Sequence, residues 1–243
     1  MPNILVLGGT IEATRLVADL ARAGLPTTLS YAGRVARPKP QPVPVRVGGF
    51  GGADGLARYL RENHITHLVD ATHPFADTIS RNALHAATLA DTPLLALTRP
   101  PWTARDGDQW THVPDIPAAV AALGMPRRNI MLALGRMHLA AFATQPQHRY
   151  LLRLVDPPQT PPPLPDHHII IDRGPFDAVA DAALMQAHDI SLIVAKNAGG
   201  TGALAKLTAA RQLQIPVLMI DRPALPERAQ TQDIATVLDW VRV

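Results

Sequence analysis

Two adjacent glycines, Gly8 and Gly9, follow the apolar segment Ile-Leu-Val-Leu at 4–7 and precede Thr10 and Glu12. A continuous apolar segment bounded by glycine is typical of a strand covered on both faces. Glycines at its carboxyl end allow a tight turn, and the free N–H groups at the start of a following helix bind phosphate. The pattern predicts that Gly8, Gly9, Thr10 and Glu12 hold a dinucleotide, although any strand-to-helix turn of an α/β protein could use the same glycines.

The match to the dinucleotide fingerprint G-x-G-x-x-G/A is imperfect. Gly8 takes the first position, Thr10 stands where the second glycine belongs, and Ala13 fills the last position. A threonine there keeps the backbone donors and adds a hydroxyl that could bond a phosphate oxygen.

The next apolar segment, at 26–32, is followed by a cation and by no carboxylate. It contains Ser30 and ends in Ala-Gly33-Arg34, and no acidic residue occurs between Asp19 and Asp54. An NAD site has an acid here for the ribose hydroxyls, whereas an arginine accommodates a 2′-phosphate. The sequence therefore favours NADP, with Ser30, Gly33 and Arg34 as ligands; the alternative for Arg34 is a solvated loop cation.

A second group of polar residues ends a later apolar segment, in the order Asp70-Ala-Thr72-His73-Pro74. Pro74 holds the residue before it in an extended conformation. We expect Asp70, Thr72 and His73 to form the catalytic group, with His73 as a candidate proton donor because histidine titrates near neutrality. The alternatives are a structural histidine in a turn and a proton that comes from water.

Basic residues recur at or just after the ends of predicted strands. Such cations would bind a polyanionic small molecule, although each alone could be an ordinary surface charge. A glycine-rich turn at 199–202 adds Gly200 and Thr201 as ligands. The basic candidates are Arg99, Arg136, Arg153, Lys196 and Arg222.

Composition excludes several classes of protein. The 243 residues contain no cysteine, which rules out disulfides and thiolate chemistry, and the histidine pairs lack carboxylate partners, so we predict no metal site. The net charge is +3, but the cations are dispersed and only 4% of residues are aromatic, which argues against nucleic acid. No segment has the length of a membrane span or the pattern of a secretion signal, so we expect a cytoplasmic protein.

Alternating strand and helix patterns predict an α/β fold with parallel sheets. The polar, proline-rich stretch at 99–108 is a natural boundary. We therefore expect two Rossmann-like domains, an NADP(H)-binding domain at 1–100 and a substrate domain at 109–243, with a substrate cleft between them. The predicted strands are 4–7, 26–32, 43–47, 67–71, 93–98, 110–113, 129–134, 149–155, 168–172, 191–195 and 216–220, and the helices after the first turn are 53–62, 77–90, 116–123, 138–144, 177–187, 202–212 and 232–241.

Several strings together resemble the precorrin-6A reductase family, and they extend over almost the whole chain. Asp-Ala-Thr-His-Pro-Phe-Ala at 70–76 is the most specific. The others are Gly-Gly-Thr-x-Glu-Ala at 8–13, Ala-Gly-Arg at 32–34, Gly-Gly-Phe-Gly-Gly at 48–52, Arg-Pro-x-Trp at 99–102, Leu-Gly-Arg at 134–136, Gly-Pro-Phe at 174–176, Lys-Asn-x-Gly-Gly-x-Gly at 196–202 and Arg-Pro at 222–223. Ala198 departs from the pattern, where serine is expected in many relatives.

The resemblance implies NADPH-dependent reduction of one double bond of the precorrin-6A macrocycle to give precorrin-6B, in corrin (cobalamin) biosynthesis. It adds Gly49 and Phe50 to the expected coenzyme site. The implied partner is a tetrapyrrole with many carboxylates, which suits arginine forks; the chain is expected to be a monomer or a weak homo-oligomer.

The sequence has three alternative interpretations. A short-chain dehydrogenase needs Tyr-x-x-x-Lys, and no tyrosine of this chain is followed by lysine four residues later. A non-catalytic NADP- or anion-binding sensor stays open, because this kind of fold has many functions. So does the cobalt-precorrin-6A version of the same reduction with NADH.

Overall fold

The structure is a computed structural model that describes residues 1–33, 40–172, 174 and 176–242. The chain divides into two compact units. The first unit consists of Met1–Pro100 together with Ala224–Val243, and the second consists of Pro101–Pro223. The chain thus enters the second unit after Pro100 and returns to the first for its last twenty residues.

The first unit is a parallel sheet with helices packed against it. The described strands follow the spatial order β12-β5-β4-β1-β2-β3. Its elements are β1 (Ile4–Leu7), α1 (Ile11–Arg22), β2 (Thr27–Tyr31), β3 (Val45–Val47), α2 (Gly52–Glu62), β4 (His67–Asp70), α3 (Asp77–Ala90) and β5 (Leu94–Leu97), joined near the end of the chain by β12 (Gln230–Thr231) and α7 (Ile234–Trp240).

Burial explains why β1 is central. All four of its residues are at most 2% exposed, as expected for a strand covered on both faces. The following helix α1 buries Ala13, Leu16, Val17 and Leu20, which lie on one face at helical spacing. This helix packs over β1 and so fixes the turn between them.

The second unit is also a parallel sheet, in the order β6-β11-β10-β7-β8-β9 among the described strands. Five strands of each unit have the same spatial order relative to their order in the chain: β5-β4-β1-β2-β3 and β11-β10-β7-β8-β9. The elements of the second unit are β6 (Trp110–Val113), α4 (Ile116–Ala121), β7 (Asn129–Ala133), a 3₁₀ helix (Arg136–Thr144), β8 (Arg149–Leu154), β9 (His167–Ile171), α5 (Ala178–Ala187), β10 (Leu192–Lys196), α6 (Ala205–Gln212) and β11 (Val217–Ile220).

The expected α/β class and the parallel sheets are confirmed, with three local differences. The tail at 224–243 was expected in the second domain, but β12 pairs with β5 and Val237 and Val241 are buried in the core of the first unit. The segment expected as a helix at 138–144 is a 3₁₀ helix that begins at Arg136. It buries Leu139 and Phe142, whose spacing of three matches the 3₁₀ repeat.

The third difference lies after β10. The helix expected from residue 202 begins at Ala205. Gly199 and Gly200 have positive φ angles of 70° and 71°, and the chain then forms a turn, closed by the Leu204 N–H to the Thr201 carbonyl (3.3 Å), before the helix begins. Within the described residues, no helix has the length and apolar character needed to cross a membrane.

Candidate active site

The turn between β1 and α1 requires both of its glycines. A Cβ atom on Gly8 would lie 2.5 Å from Cδ1 of the fully buried Leu29, and Gly9 has a φ angle of 124°, which side chains rarely allow. The Gly8 N–H donates to the Ser30 carbonyl (2.9 Å), which ties this turn to the end of β2. At the carboxyl end of β1, the Gly8 backbone is therefore packed closely against Leu29, whereas nothing lies within 4 Å of the Cβ position of Gly9.

Thr10 is the N-cap of α1. Its Oγ accepts from the Ala13 N–H (3.1 Å) and donates to the Ala71 carbonyl (2.8 Å). The second bond joins the turn after β1 to the turn after β4. The Thr10 hydroxyl proton is thus committed to a protein acceptor, and the expected bond to a phosphate would have to come from backbone N–H groups at the start of α1.

Glu12 and Arg99 form an ion pair, with Nη1 of Arg99 2.9 Å from Oε2 of Glu12. Both side chains are largely buried, with exposed fractions of 16% for Arg99 and 28% for Glu12. They line a shallow depression at the carboxyl ends of β1, β4 and β5, together with Thr10, Thr72, Pro74, Leu97 and Thr98. The pair neutralises the Glu12 carboxylate beside the positive end of α1.

The end of β2 is bordered by a residue that the sequence did not single out, Arg46 of β3. Arg46 is the register partner of Ser30 and donates to its Oγ (3.3 Å). It also donates to the carbonyls of Gly48 (2.6 Å) and Gly49 (2.7 Å), and its guanidinium lies 3.7 Å from the centre of the Phe50 ring. The expected coenzyme ligands Ser30, Gly49 and Phe50 are thus brought together by one arginine.

Gly33 and Arg34 are the two other ligands expected after β2. Gly33 has a φ angle of 77° and follows β2 directly. Arg34, the expected reader of a 2′-phosphate, lies outside the described residues. Burial raises the pKa of Tyr31, and a weaker opposing effect comes from a hydrogen bond with Thr14, so this phenol stays protonated at neutral pH.

Asp70 is a buried carboxylate with every oxygen hydrogen-bonded. Oδ1 accepts from the Thr72 N–H (3.1 Å) and hydroxyl (2.6 Å), and Oδ2 accepts from the Ser80 hydroxyl (2.6 Å) and from Nη1 of Arg228 (2.5 Å). Its side chain is 1% exposed. The Asp70 carboxylate is therefore enclosed and orients Thr72 and the following turn, and the catalytic role expected for it stays a prediction.

His73 lies in the turn after Thr72 and is partly exposed. Its Nδ1 accepts from the Phe75 N–H (3.2 Å). A neutral imidazole that accepts at Nδ1 carries its proton on Nε2. The backbone thus fixes both the ring orientation and the tautomer.

In the second unit, the glycine-rich turn after β10 is anchored by Trp102. The Asn197 side chain accepts from the Trp102 N–H (2.7 Å) and donates to its carbonyl (3.0 Å), while the indole Nε1 donates to the Gly200 carbonyl (2.7 Å). Arg222 donates to the carbonyls of Asn197 (3.0 Å) and Ala198 (3.1 Å). Three strings of the sequence that are far apart in the chain thus form one turn, on which Thr201 is exposed.

Lys196, at the end of β10, forms a pair with His138 of the 3₁₀ helix. The distance between Nζ and the imidazole Nε2 is 2.8 Å. An ammonium can only donate, so Nε2 is the acceptor and the imidazole is neutral when the lysine is charged. Arg136, exposed at the start of the same 3₁₀ helix, was also expected to bind substrate.

Arg153 is in a different environment from the one expected. Its Nη2 lies 2.5 Å from Oδ1 of Asp181, and the two side chains are only 9% and 5% exposed. The guanidinium also lies 4.4 Å from the centre of the Phe176 ring. Arg153 is a buried cation paired with Asp181, and the substrate-binding role expected for it stays a prediction.

Comparison with known proteins places this architecture in a family. Residues 3–242 match the model of the family described as precorrin-6x reductase CbiJ/CobK. The chain belongs to this family. The expected family is therefore confirmed over nearly the whole chain.

Relatives of this family match along their full length. A precorrin-6A reductase of Rhodobacter capsulatus is 52% identical, with 99% of this chain and 96% of the relative covered. One of Rhodococcus erythropolis is 45% identical, with 99% and 98% covered. A cobalt-precorrin-6A reductase of Priestia megaterium is 29% identical, with 91% of each chain covered.

A solved structure titled CobK precorrin-6A reductase has the same fold. Its TM-score is 0.95 at 51% identity, and the match covers 100% of this chain and 96% of that one. This chain and that solved structure thus share both sheets.

Sequence reasoning missed three residues of the site, namely Arg46, His138 and Arg228. Arg46 stands between two valines and reads as an ordinary strand residue. His138 begins a segment predicted only as a helix, and Arg228 lies in a proline-containing stretch far from Asp70 in the chain. Only Arg46 carried a usable signal, since it lies two residues before the glycine-rich string at 48–52.

Proposed function

We propose that this protein reduces one double bond of precorrin-6A with NADPH to give precorrin-6B, a step in corrin ring formation. The first unit would bind the coenzyme and the second unit the polycarboxylate macrocycle. The main support for the proposal is the Gly8-Gly9 turn in a chain of the precorrin reductase family. The turn lies at the carboxyl end of the central strand, directly before α1, and nothing lies within 4 Å of the Cβ position of Gly9.

The residues present fit a dinucleotide. The N–H groups of Ile11 and Glu12 have no hydrogen-bond partner among the described residues, and they lie at the positive end of α1, where a pyrophosphate is favoured. Gly9 has no Cβ atom, so a ligand can approach its backbone closely. When bound, the coenzyme supplies a hydride. The absence of an acid after β2 and the presence of Arg34 favour NADPH over NADH.

Thr72 and His73 are proposed to act on the reacting end of the substrate. The reduction adds a hydride to one atom and a proton to its neighbour. His73 carries a proton on Nε2 in the tautomer that the Phe75 N–H selects. A neutral imidazole does not give up that proton, so His73 would first take up a second proton on Nδ1 and release the Phe75 N–H. The imidazolium would then donate its Nε2 proton to the neighbouring atom and return to the neutral form. Asp70 accepts from both the N–H and the hydroxyl of Thr72 and so fixes the position of this residue in the turn.

For the substrate carboxylates we propose Arg136, Lys196 and the turn at Gly200 and Thr201. Arg136 is exposed, and the Lys196 ammonium lies at the carboxyl end of β10, 2.8 Å from Nε2 of His138. Arg222 would act by shaping the turn through its bonds to two carbonyls, and Arg99 by neutralising Glu12.

The test is anaerobic incubation of the purified protein with precorrin-6A and either NADPH or NADH. The proposal expects one equivalent of NADPH to be oxidised for each macrocycle that gains two hydrogens by mass spectrometry, with NADH much less effective. A sensor would bind NADPH without oxidising it. Faster reduction of cobalt-precorrin-6A with NADH would instead establish the cobalt version of the reaction.

His73→Gln separates the proton-donor role from a role in the fold. Glutamine can still accept from the Phe75 N–H but cannot deliver a proton near neutral pH. We expect the turnover number to fall at least about 100-fold, in the range of general acid catalysis, with unchanged affinity for NADPH. Near-normal turnover would assign the proton to water.

A further inference from the structure

Arg46 is held in one orientation by the surrounding backbone and rings. Nη1 donates to the Gly48 carbonyl and Nη2 to the Gly49 carbonyl, so the end of the guanidinium clamps two successive carbonyls. The Phe50 ring covers one face at 3.7 Å, and the Tyr59 ring lies at 5.3 Å. Phe50 and Tyr59 in turn pack edge to face at 5.2 Å. Little side-chain entropy is left to lose on binding a ligand.

The charge of Arg46 has no compensating carboxylate within salt-bridge distance among the described residues. Of its five N–H donors, Nη1 serves Gly48 and Ser30, and one N–H of Nη2 serves Gly49. The Nε–H and the second Nη2–H have no acceptor in the part of the chain that the structure describes. These two donors are parallel and form the fork that binds two oxygens of a phosphate.

The location of this fork indicates which phosphate it would take. Arg46 is the register partner of Ser30, which is the penultimate residue of β2. In doubly wound domains, the adenosine ribose lies at the carboxyl end of this second strand, and an arginine there accommodates a 2′-phosphate. Ser30 Oγ accepts from Arg46, so its own proton remains available to an anion.

We propose that Arg46 binds the 2′-phosphate of an NADP-type coenzyme and thereby sets its preference over the unphosphorylated form. The proposal rests on the proposed function, which supplies the coenzyme. Arg46 lies on β3 and is separate from Arg34, the arginine after β2 for which the sequence predicts the same role. Because the Gly48 and Gly49 carbonyls hold the guanidinium in place, its two remaining N–H donors form a rigid bidentate site.

The test measures equilibrium binding of NADP⁺ and NAD⁺ by calorimetry, without turnover. Wild type is compared with Arg46→Met, Arg46→Lys and the control Arg58→Met, which removes an exposed arginine of the neighbouring α2. Adenosine 2′,5′-bisphosphate and 5′-AMP serve as small probes of the same difference. Circular dichroism monitors folding of each variant.

We expect the ratio of the two affinities to fall about 10- to 100-fold in Arg46→Met, as for loss of charge-assisted hydrogen bonds. Arg46→Lys should be intermediate, because a lysine keeps the charge but not the fork. Arg58→Met should keep the wild-type ratio. If Arg46→Met does not fold, the ratio in Arg46→Lys decides in the same way.

Equal weakening of NADP⁺ and NAD⁺ would overturn the proposal and leave Arg46 as a clamp of the glycine turn only. An unchanged ratio in the folded variants would overturn it as well. These outcomes differ from failure of the proposed function, in which the wild type binds neither nucleotide or binds NADP⁺ and does not reduce precorrin-6A.

Discussion

Replacing Arg228 by Met removes the cation from a buried network at the end of β4. Nη1 of Arg228 lies 2.5 Å from Oδ2 of Asp70, and the side chains are 10% and 1% exposed. Removing one partner of a buried ion pair typically costs about 3–5 kcal/mol, because the other charge is left unpaired. Asp70 keeps its three hydrogen bonds from Thr72 and Ser80, so we expect a loss near the lower end, about 3 kcal/mol.

The assay is urea unfolding combined with hydrogen exchange of the peptide that contains β4, which reports on the first unit alone. Arg242→Met is the matched control, since Arg242 belongs to the same tail and pairs with Asp239 at the surface, with exposed fractions of 55% and 79%. Such exposed pairs contribute about 0–1 kcal/mol. Adding Asp70→Asn to Arg228→Met should recover about 1–3 kcal/mol, because the unpaired charge is then gone.

A loss below about 1 kcal/mol in Arg228→Met, or a double mutant no more stable than the single, would refute this reasoning. It would mean that water or another donor compensates Asp70. The same variant tests the link to function. Because Asp70 orients Thr72, the turnover number should fall more than the affinity for NADPH, and a change in affinity alone would contradict the positioning role of this network.

Three further predictions follow from local geometry. Gly55→Ala should destabilise the protein by about 1–3 kcal/mol in urea unfolding, because the new Cβ would lie 1.7 Å from the Phe50 carbonyl oxygen. Burial lowers the pKa of the fully buried His148, so the folded state favours the neutral ring; its contribution to stability is complete above about pH 6.5 and is lost as the pH falls below that value. His148→Gln should therefore flatten the pH dependence of unfolding. Lys196→Met should raise the KM for precorrin-6A about tenfold or more without changing the affinity for NADPH, and high salt should weaken substrate binding in wild type.

Each has a clear contrary result. Gly55→Ala with wild-type stability would mean that the start of α2 can shift freely. A pH dependence of unfolding that is identical in His148→Gln would assign the acid sensitivity to other groups. A Lys196 variant that loses NADPH affinity instead of substrate affinity would place the coenzyme at the second unit.

The class of fold and most strands could be predicted because each depends on local pattern. Segments in which every residue is apolar, such as 4–7 and 192–195, form strands of parallel sheets, because such a strand is covered on both faces and buries every side chain. The tight turn at Gly8 and Gly9 could be recognised for the same local reason, because the backbone there takes conformations or close approaches that side chains forbid. The tail was placed in the wrong unit because its strand, Gln230–Thr231, has only two residues and no apolar alternation.

The sequence by itself determined the alternation of strands and helices, the glycine turn between the first strand and its helix, and the family, since these are encoded in contiguous residues. The tertiary structure decided which charged residues are committed to one another. Asp70 meets Arg228, Arg153 meets Asp181, and Glu12 meets Arg99, in each case across a long stretch of chain. The physical reason is that a buried charge needs a partner, and which partner it finds depends on how the strands are ordered in the sheet, which no local pattern specifies.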